Sequence, residues 1–120
     1  MKSSRTLTED VLVAGLDDWT DPGWVLGLVG THYPEMSSKD RLSLSIGLIA
    51  EMVNMEWIVP GSVNGGFRAW EKSNESWIER IVHEWLLLDR NTTPGEICWF
   101  DLTEAGTRMA QEIWSRTEGE

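Results

Sequence analysis

Gly95-Glu96-Ile97-Cys98-Trp99-Phe100-Asp101-Leu102-Thr103-Glu104-Ala105-Gly106-Thr107-Arg108-Met109-Ala110 is the stretch from which the fold is read. Its first half is β-branched and aromatic with little polar alternation, which predicts a strand over 96–102 that is mostly buried on both faces. Thr103 then stands where a helix N-cap belongs, its hydroxyl able to accept from a backbone N–H that the first turn leaves unpaired. Ala105, Met109, Ala110, Ile113 and Trp114 follow at helical spacing, so a final helix turns that face inward. Ala105 and Gly106 keep its first turn slim enough for close packing, and a strand beginning near Trp57 is the expected partner of 96–102.

Upstream, Ser76 and Glu79 form a capping-box pattern, and Trp77, Ile78, Ile81, Val82, Trp85 and Leu86 share one face of the clearest amphipathic helix, spanning 71–89. Ser73 and Asn74 are alternative starts for it, and Asn91-Thr92-Thr93-Pro94-Gly95 is a loop. Asn64-Gly65-Gly66 is a flexible hinge. Glu56-Trp57-Ile58-Val59 predicts a short strand that Pro60-Gly61 turns away. Before it, Ser37 or Ser38 opens a central helix with two adjoining apolar stripes, Leu42, Ile46, Ile49, Val53 and Leu44, Leu48, Met52, Met55. Asp21-Pro22 starts a short helix over 22–29 with Trp24, Val25 and Leu28 on one face. Thr6 and Glu9 cap a first helix over 7–19. The order helix, helix, helix, strand, helix, strand, helix is that of an α+β domain, mostly helical, with a small two- or three-stranded sheet. A single domain over 1–120 is expected, frayed at 1–5 and 116–120.

Composition narrows the function classes. Hydrophobic residues make up 41% and charged residues 25%, a globular balance. Ten Lys and Arg against twenty Asp and Glu leave a net charge of −10, shared equally between the two halves of the chain. That field opposes binding to phosphate backbones and to anionic membrane surfaces. Cys98 is the only cysteine, so no internal disulfide can form, which fits a reducing cytoplasm. The N-terminus lacks the roughly 7 to 15 apolar residues of a signal peptide, and no window approaches the roughly 20 of a membrane span. A soluble cytoplasmic protein, monomer or homodimer, is the expectation.

The segment from Gly95 to Ala110 resembles the wing strand and following helix of winged-helix proteins, in its strand, its Leu102-Thr103, its Gly106 and its Arg108 before Ala110. About 20 residues carry the likeness strongly and some 60 more weakly. The resemblance implies a winged-helix-like domain, a fold that most often binds DNA through a helix placed before the wing. Here the expected helix over 71–89 carries Glu71, Glu75, Glu79, Glu84 and Asp89 against Lys72 and Arg80, a net charge of −3. The wing loop sets Glu96 beside Arg90 where a DNA-contacting wing carries bases toward phosphates. Many winged-helix domains serve protein–protein contact instead, and the charge points that way.

No reaction motif is present. His83-Glu84 lacks the second histidine of a zinc protease motif, since position 87 is Leu. His83 reads as a structural residue one turn from Glu79, and His32 as a turn filler. A nucleophile site of Cys98, His83 and Asp101 is weighed against a small buried hydrophobe at Cys98, and the second reading is preferred. Gly61 to Gly66 lacks the Lys-Ser or Lys-Thr of a phosphate loop. No catalytic, cofactor or metal residues are assigned. Of the eight tryptophans, Trp19, Trp24, Trp77, Trp85 and Trp114 sit at core-facing phases. Trp70 fits no stripe: it either caps the core beneath the hinge or anchors a partner, with Glu71, Glu75 and Glu79 as the acidic face beside it. The expected function is therefore a small protein-binding module, immunity- or antitoxin-like or an adaptor, that takes another protein, a basic one, on that face. The alternative is a transcription regulator whose dimer gathers Lys39, Arg41, Arg90 and Arg108 to bind DNA.

Overall fold

The computed structural model describes residues 4–71, 76–88 and 90–118. Among them the chain runs α1 (Leu7–Ala14), α2 (Pro22–His32), α3 (Ser38–Asn54), β1 (Ile58–Val63), β2 (Phe67–Ala69), α4 (Trp77–Leu87), β3 (Trp99–Leu102) and α5 (Glu104–Thr117). The three strands form one antiparallel sheet in the order β2-β1-β3, an α+β domain as the sequence predicts. β1 meets β3 in the register Ile58 opposite Leu102 and Pro60 opposite Phe100. The outer edge of β3 is met by Thr20, which exchanges two backbone hydrogen bonds with Phe100 at 2.7 and 3.2 Å.

Each helix begins at the cap its sequence announces. Thr6 and Glu9 close a reciprocal capping box, Asp21 precedes Pro22, Ser37 accepts from Asp40 N–H, Ser76 from Glu79 N–H and Thr103 from Gly106 N–H. Asp21 also works at long range: its second carboxylate oxygen accepts from Gly95 N–H at 3.0 Å, so a buried cap ties α2 to the loop before β3. α1 packs on α5 and α2, α2 on α3, and α3 on α4 and β1. Leu12, Val25, Val29, Ile49, Met52, Ile81 and Phe100 lie at the centre of the core between them.

The end of α3, the start of β1 and the first turn of α5 meet in one joint. α3 ends in a Schellman motif, with Trp57 N–H bonded to Met52 O and Glu56 N–H to Val53 O, both at 3.0 Å. Glu56 takes the left-handed position there, at φ 60°, where glycine is usual. The carbonyls so exposed are used at once: Thr103 Oγ1 donates to Glu56 O at 2.5 Å and Thr103 N–H to Trp57 O at 2.9 Å. Gly106 lies over the Trp57 carbonyl so closely that a Cβ there would sit 2.8 Å from its carbon and closer still to its oxygen. The slim first turn read from Ala105-Gly106 is thus a close backbone approach at Gly106, while Ala105 is exposed.

Several local expectations differ. α1 stops at Ala14 rather than 19, because Gly15 packs against Leu102 and the following turn must bring Thr20 to Phe100. α2 runs past 29 to His32, whose Nε2 meets Asp10 Oδ2 at 2.6 Å. Pro60-Gly61 does not turn the chain: both lie within β1, where the bare Gly61 lets the Arg68 backbone of β2 come close. The turn is Asn64-Gly65-Gly66, with both glycines at positive φ, so the expected hinge is a hairpin and Phe67–Ala69 is a strand. α4 starts at Trp77, and residues 72–75 and 89 of the longer expected helix lie outside the described residues. β3 starts at Trp99, although Ile97 and Cys98 before it are buried. Trp24 is 53% exposed and Trp114 48% exposed, against the inward phase read for both. Val25 with Val29, and Ala110 with Ile113, take the buried faces, which leaves each tryptophan about a quarter turn outside. Met55 is also exposed, as the C-cap of α3 rather than a stripe member. The ends are in part fastened to each other. Arg5 bonds Thr117 Oγ1 and Glu118, both at 3.0 Å, and Arg116 pairs with Glu9.

Candidate functional site

α4 is held by its inner face. Ile81 and Trp85 are buried in the core, and the start of the helix is pinned from β2 by Trp70, which follows Ala69 and donates its N–H to Pro60 O at 2.9 Å. The Trp70 ring is 9% exposed. Arg80 lies over it, with its guanidinium carbon 3.6 Å from the ring centroid, and its Nε donates to Glu84 Oε2 at 2.9 Å. Trp70 is therefore a buried wedge roofed by α4. Its indole is already covered on the face a partner would use, and the core-capping alternative describes it.

The acidic residues read beside it separate into two kinds. Glu71 and Glu79 are exposed at the surface, whereas Glu75 lies outside the described residues. Glu79, His83 and Leu87 follow one another at one-turn spacing on the outer side of α4, with Leu86 next to them. Leu86 is 64% exposed and Leu87 70% exposed. The sequence reading placed Leu86 in the buried stripe and gave Leu87 no role. The run Leu86-Leu87-Leu88 carried the missing signal, because three successive positions span some 200° of a helix and cannot all face one core.

The cations are mostly committed. Of the eight described Lys and Arg residues, Arg5, Arg80, Arg90, Arg108 and Arg116 each pair with a carboxylate of the same chain. Arg41 donates from Nε to Met36 O at 2.9 Å and from Nη2 to Pro34 O at 2.6 Å. Of the four cations gathered in the DNA-binding alternative, Arg90 and Arg108 are paired with carboxylates, Arg41 donates to two neutral carbonyls, and Lys39 is the fourth. At the surface, Arg90 pairs with Glu96. The guanidinium hydrogen bonds, helped by Thr93 N–H, draw the Glu96 carboxyl down to about 2. Glu9 is lowered too, chiefly by Thr6 N–H and then by Arg116.

The chain matches no protein-family model, no curated protein and no solved structure. The chemistry must therefore be read from its own side chains. Cys98 is 2% exposed, and burial, with Glu84 and Asp21 adding to it, pushes its thiol far up and away from the nucleophilic thiolate. His83, its supposed base, is at the surface. Among the described residues no three His, Cys, Asp or Glu side chains converge as a metal site. Among them, too, no helix is long and apolar enough to cross a membrane.

Proposed function

We propose that this chain is a small, non-enzymatic protein-binding module, immunity- or antitoxin-like or an adaptor, that receives a basic protein on the outer face of α4. The observation that carries the reading is the uneven use of charge. Five described arginines are spent on the chain's own carboxylates, while Glu71, ahead of α4, and Glu79, two helical turns from Leu87, stand exposed, as do Leu86 and Leu87. Leu86 and Leu87 supply apolar area that a partner can bury, and the surplus carboxylates steer a cationic surface toward it. Compared with the sequence-based face of Trp70, Glu71, Glu75 and Glu79, the apolar anchor moves from Trp70 to the leucine pair.

The arrangement is read as winged-helix-like, on the Thr103–Gly106 junction and the antiparallel pairing of β1 with β3. On that reading the helix leading into the wing is α3, and β2 and α4 occupy the connection between the wing strands. α3 carries Lys39 and Arg41 against Asp40 and Glu51, no net charge with which to neutralise phosphates. A cytoplasmic, reducing setting agrees with the buried Cys98 thiol.

Affinity capture tests the proposal. The immobilised chain and a Glu71→Lys, Glu79→Lys, Leu87→Ser variant are compared at about 50 mM and about 300 mM salt, with captured proteins identified by mass. A basic protein held by the parent, weakened by salt and lost from the variant supports the reading. Equal capture by both, or a sequence-selective mobility shift of duplex DNA at physiological salt, overturns it.

A further inference from the structure

A cleft of about 680 Å3 opens between α2, the start of α3 and the chain leaving α4. That volume lies within the range of roughly 300 to 1,000 Å3 typical of small-molecule sites. Its α2 wall is made by Gly23, Gly27 and Gly30, which recur at helical spacing, with Leu26 and Thr31 beside them. At Gly27 a Cβ would meet nothing within 4 Å, so the wall faces open space there, whereas at Gly23 it would lie 3.2 Å from Thr92 Cγ2 and at Gly30 3.0 Å from Arg41 Nη1. The apolar surface opposite comes from Leu42 and Leu88, with the buried Trp85 behind them.

Arg41 stands in the same lining. Its Nε and Nη2 are held by the Met36 and Pro34 carbonyls, and its Nη1 lies 3.0 Å from where a Gly30 Cβ would be. The bare Gly30 is thus what lets the guanidinium lie against α2. Because both acceptors are neutral, the Arg41 charge is not cancelled, in contrast to Arg90 at the opposite lip, which is paired with Glu96. An arginine whose side chain is already fixed loses little freedom when it meets an anion, and the Nη1 N–H groups, which the two carbonyls do not use, can donate to a carboxylate. The net charge of −10 does not prevent this. At physiological salt it is screened beyond about 8 Å, so the local cation decides.

We propose that this cleft binds a small organic carboxylate, with its apolar body between Gly27 on one side and Leu42 and Leu88 on the other, and its carboxylate on Arg41. The inference is independent of the α4 reading, since no residue of that outer face lines the cleft.

The probe is 2-naphthoate, with 2-naphthylmethanol as its neutral counterpart, titrated by calorimetry into the intact chain, a Gly27→Leu variant and an Arg41→Gln variant. Naphthoate should bind the parent with a Kd below about 1 mM. The alcohol should bind at least about tenfold more weakly, the loss expected for one charge-assisted hydrogen bond. Gly27→Leu fills the cleft with a good helix former, so naphthoate binding should fall at least about tenfold while the melting temperature holds or rises. Arg41→Gln should remove the preference for naphthoate over the alcohol. The proposal is overturned if the parent gives no saturable heat, if the alcohol binds as tightly, or if Gly27→Leu binds naphthoate like the parent.

Discussion

Alanine at Gly106 should weaken this protein severely, although the residue sits in the first turn of a helix where alanine is the better former. Helix propensity alone would add up to about 1 kcal/mol of stability. Against it stands the Trp57 carbonyl, whose carbon would be 2.8 Å from the new Cβ. The obstacle is backbone, so no side chain can swing aside. Relief requires α5 to lift from β1, which stretches Thr103 N–H to Trp57 O at 2.9 Å and Thr103 Oγ1 to Glu56 O at 2.5 Å. Overpacking of this kind costs about 1 to 3 kcal/mol, and each weakened hydrogen bond up to about 1 more. The net loss is about 2 to 4 kcal/mol, or roughly 8 to 16 °C in melting temperature for a domain of this size. Gly47→Ala is the internal control. It makes the same substitution within α3, where a Cβ meets nothing within 4 Å, and should raise stability by about 0.5 to 1 kcal/mol. Thermal and urea melts followed by far-UV circular dichroism would measure both. The joint is wrongly described if Gly106→Ala melts within about 2 °C of the parent, or if the two variants shift in the same direction.

Glu56→Gly should stabilise by about 0.5 to 1 kcal/mol, because glycine relieves the left-handed backbone at φ 60° without touching the carbonyl that Thr103 uses; an unchanged or lower melting point contradicts it. Trp85→Ala should cost about 3 to 5 kcal/mol, and a melt within a degree or two of the parent would mean that the inner face of α4 is not core. Since the Glu96 carboxyl is drawn down to about 2 from an ordinary 4.5, its pairing contributes stability in full above about pH 4.5 and loses it as pH falls toward 2. A carboxyl NMR titration should show this, and Arg90→Gln should return Glu96 toward 4.5. Cys98 should resist iodoacetamide at about pH 8 in the folded chain and react only in denaturant, so rapid labelling of folded protein would place the thiol at the surface.

What could be read from the sequence was local. Thr6, Asp21, Ser37, Ser76 and Thr103 all announce helix starts through a side chain acting within three residues, and all five serve as caps. The pairing of β3 with a strand near Trp57 was legible for the same reason, since each partner is a short apolar run beside a clear junction. Elements set by distant contacts were not. Pro60-Gly61 has the composition of a turn but lies in a strand, because β3 and β2 flank it. α1 ends early because Thr20 has a partner 80 residues away. At the candidate site, charge announced that Glu71 and Glu79 lie at the surface, whereas Trp70 packs with the core and has Arg80 over its ring. Leu86 and Leu87 were missed as surface residues because apolar character was equated with burial, and the end of a helix can project beyond the core it packs on.

The claim that this is an acidic protein-binding face, and not a reader of DNA, is tested most directly by amide chemical-shift mapping of the labelled chain, titrated in parallel with the captured basic partner and with duplex DNA. The account predicts saturable shifts from the partner concentrated at Glu71, Glu79, His83, Leu86 and Leu87, and none from DNA at physiological salt. Saturable DNA shifts centred on Lys39 and Arg41 at the start of α3, with the outer face of α4 silent toward the partner, would contradict it.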